Sequence, residues 1–132
     1  MEINRKNALR FWETVYGSEL LVSDCFGTLI YKEDYGDYTT ERLYEGKKHN
    51  FGWTIDHILP IKLGGTDDNN NLEIMHWKNN QEKGDHNTFV INNIRYAIYR
   101  CKQTVDGYRG YGIINQNTGI RIDWKATKHK YF

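Results

Sequence analysis

Proline occurs once and serine twice in 132 residues, too little of either for a long disordered linker. Cysteine is nearly as scarce. Cys25 and Cys101 stand alone and far apart. They form no CxxC pair, so a structural zinc ribbon is not expected. They make no disulfide framework, and a reduced compartment fits. No apolar run approaches the ~20 residues a membrane span needs. The opening MEINRKNALRFWE has no apolar core of a signal peptide, so no secretory signal is expected. Internal repeats and low-complexity tracts are also lacking. What is abundant is aromatic surface, with ten Tyr and four Trp. Length and composition predict one globular domain over residues 1–132.

The net charge of +1 hides an uneven distribution. Residues 13–45 carry eight acidic side chains against two basic, whereas residues 46–132 carry thirteen basic against eight acidic. A polyanion would favour the second half, although ordinary solvated faces give the same counts. Charge alone therefore names no partner.

Periodicity predicts a helix over 4–16, with Leu9, Trp12, Val15 and Tyr16 on one face and Gly17 as its stop. One or two short strands are expected in 20–32, interrupted at Gly27. Residues 33–50 read as a loop with a short helix near 40–45. Residues 51–59 predict a strand, with Trp53, Ile55 and His57 on one face and Thr54, Asp56 and Ile58 on the other. Pro60 ends it. Gly64-Gly65 and Thr-Asp-Asp-Asn form a long hairpin connection to a return strand at 71–75, followed by a helix over 76–85. The stripe Ile91, Ile94, Ile98, Cys101, Val105 predicts a helix over 89–105, and Asp106-Gly107 a turn. A closing hairpin is expected from 108–115 and 119–125, then a basic tail that includes His129.

The residues with chemical content fall between 51 and 86. Phosphodiester hydrolysis needs a base for water and a cation for the charge growing on oxygen. His57 suits the first, since an imidazole with an ordinary pKa near ~6.5 is substantially neutral at working pH. Asp56 suits the second, as a hard oxygen ligand for Mg²⁺ or Mn²⁺. His76 and Asn80 lie four apart, one above the other on a helix face. Lys83, one turn on, could aim its ammonium at a phosphate.

At these residues the chain resembles the HNH endonucleases. The matching pattern is Asp56-His57-Ile58-x-Pro60, Gly64-Gly65, Asn71-Leu72, then Asn80-x-x-Lys83-Gly84-Asp85. The resemblance implies an α+β fold built on a ββα-metal (His-Me) finger at about 51–86, with an N-terminal helix and flanking short strands and a helix. It implies His57 as general base, Asp56 and Asn80 as metal ligands, and Asn71 as the brace of the hairpin loop that helps orient the base. Many members carry a zinc-ribbon CxxC pair where this chain has His76 and Asn79. Colicin-type relatives use two helix histidines four apart, which would make His76 a third ligand. Family members commonly hold one Mg²⁺ and cut DNA to leave a 5′-phosphate and a 3′-hydroxyl.

The expected function is thus a metal-dependent DNA endonuclease with one divalent ion, Mg²⁺ or Mn²⁺. The alternatives are a ribonuclease, or a non-catalytic nucleic-acid-binding or protein-interaction module with a structural finger. The expected setting is a prokaryotic or phage-infected cytoplasm, with secretion as a toxin as the other case. DNA is the expected partner, RNA the second, and no membrane is expected.

Overall fold

The structure, a computed structural model, describes residues 1–101 and 110–129. Helix α1 (Arg5–Tyr16) opens the chain. Asn4 caps it, its side-chain oxygen accepting from the Asn7 amide at 2.9 Å, and Gly17 closes it at a positive φ of 64°. The cap satisfies one of the backbone donors every helix start leaves open. Ala8, Phe11 and Trp12 are its buried residues.

Strands β1 (Leu21–Ser23) and β2 (Leu29–Tyr31) pair antiparallel around Gly27. The segment expected as a helix near 40–45 is instead a hairpin of β3 (Arg42–Tyr44) and β4 (Lys47–His49). Its two-residue turn, Glu45-Gly46, holds both residues at positive φ, the geometry that matches strand twist in tight hairpins.

The central unit is β5 (Trp53–His57), β6 (Leu72–His76) and α2 (Trp77–Lys83). β5 and β6 are antiparallel, with Trp53 opposite His76 and His57 opposite Leu72. α2 follows β6 without a loop and lies against both strands. This hairpin stands between two cores. Trp53, Ile55, Leu72 and Ile74 pack with α1 and Ile30. Met75 and Ile58, just beyond β5, pack with Phe89, Ile91, Tyr96 and Ile113.

The helix expected over 89–105 is absent from the described part of that span. Instead β7 (Thr88–Ile91) and β8 (Ile94–Arg100) form an antiparallel hairpin. The apolar stripe coincided with helical spacing, but the β-branched and aromatic content suits a pleated surface. Asn92 and Asn93 sit at φ 52° and 64°, and Asn tolerates that region better than most residues. Val105 and Asp106-Gly107 lie outside the described residues.

β8 also pairs with β9 (Tyr111–Asn115), and β9 with β10 (Ile120–Arg121), which gives a four-stranded order β10-β9-β8-β7. The last strand is shorter than expected. After Asp123 the chain turns into helix α3 (Trp124–His129). Glu73 of β6 accepts the Trp124 amide at 2.9 Å, and the Trp124 indole donates to Leu72 O. A partner distant in sequence thus anchors this helix start. Among the described residues no helix is long and apolar enough to cross a membrane.

Candidate active site

A cleft of about 420 Å³ opens where β5 ends, lined by Asp56, His57, Ile61, Lys62, Asn80 and Asp85 among others. Alternation along β5 puts Thr54 and Asp56 on one face, and α2 meets that face through Asn80 and Lys83. The Asn80 amide donates from Nδ2 to Thr54 Oγ1 at 2.7 Å. In that orientation Oδ1 is left as a hard donor.

Asp56 is 8% exposed. Burial raises its carboxyl to about 6; the charges of Lys83 and His57 oppose the rise, and Asp85 adds to it. Lys83 Nζ stands 2.9 Å from Asp56 Oδ2, yet off the axis of a hydrogen bond, so Oδ2 is a buried oxygen with a charge contact and no hydrogen-bond partner. Buried polar atoms in that condition are rare. A divalent cation would satisfy it and favour the ionised form.

Lys83 is fully buried. Its ammonium donates to His57 O at 3.1 Å besides pairing with Asp56. This corrects the expected phosphate contact, because a side chain sealed in the interior cannot meet a substrate from solvent. Its place is beneath Asp56 and His57, tying α2 to the end of β5.

His57 closes β5, and its ring is partly exposed at the cleft. Its Nε2 lies 2.7 Å from Asp67 Oδ1. An ionised carboxylate offers only lone pairs, so Nε2 carries a proton, and in a neutral ring of that tautomer Nδ1 holds the lone pair. Asp67 was missed by sequence reasoning. The available signal was an acidic turn, Thr-Asp-Asp, in the connection that must pass back over the end of β5. Thr54 and Asp85 were missed as site residues too.

Asn71 is 1% exposed. Its Oδ1 accepts from Leu59 N at 2.9 Å, and its Nδ2 donates to Leu59 O at 3.0 Å and Thr66 O at 2.8 Å. Its own carbonyl accepts from Ile58 N at 2.7 Å. The side chain thereby clamps both ends of the connection between β5 and β6. Gly65 has to be glycine for the same close packing, since a Cβ there would stand 1.7 Å from Leu59 O.

His76 is not brought to the cleft, which corrects its expectation as a third ligand. It caps α2, with Nδ1 accepting from Lys78 N at 3.1 Å, and its Nε2 is 2.9 Å from Asn50 O. Both ring nitrogens are engaged, and its surface faces a separate groove beside Asn50, Lys78 and Asn79. Asn79, where many relatives carry a cysteine, donates to Asp24 Oδ2 and Thr28 Oγ1, both at 2.9 Å. Among the described residues no group of three or more His, Cys, Asp or Glu could hold a metal. Asp56 and Asn80 offer side-chain oxygens to the cleft, and Asp85 also lines it. That suits an ion which keeps waters and takes substrate phosphate oxygens, as Mg²⁺ does.

Residues 44–86, from the end of β3 through the hairpin and α2 to His86, match the family model described as HNH endonuclease. No curated protein and no solved structure matches the chain. Over residues 44–86 the chain is thus similar to the HNH endonucleases.

Proposed function

We propose that this protein is a metal-dependent endonuclease that hydrolyses phosphodiester bonds in DNA, with the β5-β6-α2 unit as its ββα-metal core. The observation that carries this reading is the shared cleft. His57, its Nε2 held by Asp67, lines the same space as the Asp56 carboxylate and the Asn80 amide. A base and a pair of oxygen donors at one phosphodiester-sized opening are the groups this hydrolysis needs.

Asp56 and Asn80 would hold one divalent ion, with Mg²⁺ and Mn²⁺ as the candidates. When bound, the ion neutralises charge on the phosphoryl and leaving oxygens. His57 Nδ1 takes a proton from the attacking water. Asp67 accepts a hydrogen bond from Nε2–H, which keeps the ring in the useful tautomer and stabilises the imidazolium that forms. Lys83 partly balances Asp56 from below. Asn71 holds the loop carrying Asp67 in register. Its role is positioning, as is that of Lys83.

The test is plasmid nicking with Mg²⁺ or Mn²⁺, with a matched RNA assayed in parallel. Wild type is expected to cut DNA, chelation to stop it, and His57→Ala to reduce the rate by roughly 10²–10⁴-fold, the range of general base catalysis. Equal cutting by both proteins would remove His57 from this role. Cutting confined to RNA would make the protein a ribonuclease.

A further inference from the structure

Two largely exposed aliphatic side chains stand beside the cleft, Ile61 in its lining and Leu63 on the same turn. Ile61 and Leu63 are 53% and 45% exposed. They lie on a single 3₁₀ turn, Ile61–Leu63, that follows Pro60. Nothing about this turn is loose. Pro60 O accepts from Leu63 N at 2.8 Å and Gly65 N at 2.9 Å, and Ile61 O accepts from Gly64 N at 3.0 Å. Asn71 grips Leu59 just upstream by both N–H and C=O. The segment is therefore braced to hold two large apolar groups in water. Other exposed large apolar residues, Leu20, Leu43, Val90 and Ile120 among them, do not line the cleft. Ile61 and Lys62 do line it, with His57, Asp56 and Asn80.

Continuity with the site identifies the occupant. Successive phosphates along one strand rise only ~3.4 Å, so a phosphodiester seated at His57 brings its neighbouring nucleotides onto this turn. Aliphatic side chains on a fixed turn suit the apolar walls and base steps of a duplex groove, where Ile and Leu serve as wedges in minor-groove proteins. Lys62, between them, supplies the charge that a flanking phosphate needs. The acids at the cleft, Asp56 and Asp85, lie with the metal-holding groups.

We infer that Ile61 and Leu63 form an apolar wedge that enters the groove of duplex DNA beside the scissile bond, with Lys62 on a flanking phosphate. This rests on the nuclease reading and extends it to how the substrate is engaged.

The test is fluorescence anisotropy of a short labelled DNA duplex, with divalent ions chelated so that the strand stays intact. The Ile61→Ser/Leu63→Ser double variant is expected to bind at least about tenfold more weakly than wild type. Leu43→Ser, an equally apolar exposed change away from the cleft, is expected to bind as wild type does. Thermal unfolding midpoints of all three should agree, which separates lost binding from lost folding. Unchanged binding by the double variant overturns the wedge, as does equal weakening by Leu43→Ser or a wild type that binds no duplex. Plasmid nicking by wild type is run alongside. Nicking with binding that ignores the turn removes the wedge alone. Turn-dependent binding without nicking leaves the wedge and removes hydrolysis.

Discussion

At the scale of the residue, the candidate site rests on how few degrees of freedom its groups retain. Asn80 is oriented by Thr54, His57 by Asp67, and Asp56 by its burial over Lys83. Asp67→Ala is expected to lower kcat about tenfold or more with little change in KM, while Asp67→Asn, which can still accept from Nε2, recovers part of the loss. Steady-state cleavage kinetics check this, and a change confined to KM would argue for substrate contact instead. Lys83→Met leaves a buried carboxylate without its partner, and breaking such pairs costs about 3–5 kcal/mol. Chemical denaturation should show that loss, and an undiminished midpoint would mean that Asp56 gives up its charge when Lys83 is removed. Asp56, His57, Asn71 and Asn80 stand out in the sequence as candidates because their spacing is a pattern. Asp67 does not, because only the path of the chain between β5 and β6 brings it back over His57. The burial of Lys83 was likewise invisible, since a lysine on a short helix is ordinarily solvated.

At the scale of the element, the β5–β6 hairpin and α2 were readable from alternation, Pro60, the Gly-Gly turn and Gly84. The β7–β8 hairpin was misread, because Ile91, Ile94 and Ile98 satisfy a helical spacing by coincidence while Asn92-Asn93 holds the decisive turn. Replacing Asn93, at φ 64°, with Gly should be neutral or mildly stabilising, because that backbone region carries no penalty for glycine. A clear loss in the thermal midpoint would show that the Asn93 side chain contributes more than its backbone geometry. α3 was also illegible locally, because Glu73 of β6 accepts its first amide. Burial and the neighbouring charges of Asp123 and Asp24 raise the Glu73 carboxyl well above its ordinary 4.5, partly offset by the Trp124 amide and Lys125. A carboxyl raised in the folded state keeps its proton where the unfolded chain has lost it. Stability from this group is therefore greatest below pH 4.5 and falls as pH rises through the folded value. Glu73→Gln keeps an acceptor for Trp124 without the charge. Its stability relative to wild type should improve steadily from acid to neutral pH in denaturation at several pH values. A pH-independent difference would show that Glu73 is already ionised when buried.

At the scale of the whole molecule, the β5–β6 hairpin is shared by two cores, so the site is held from both faces. Trp53, fully buried against Trp12 with ring centroids 5.0 Å apart, links α1 to the strand that ends in His57. Trp53→Ala is expected to cost about 3–5 kcal/mol and to lower activity through loss of folded protein. The aromatic richness of the sequence foreshadowed this packing, but periodicity could not say which elements would share it. In the proposed mechanism Asp56 and Asn80 converge on one divalent ion beside His57. A crystal grown with Mn²⁺, examined by anomalous scattering, tests it most directly. One strong peak is expected in contact with the Asp56 carboxylate and the Asn80 amide oxygen, next to His57. A cleft without such a peak while Mn²⁺ sits at His76 or elsewhere would contradict it.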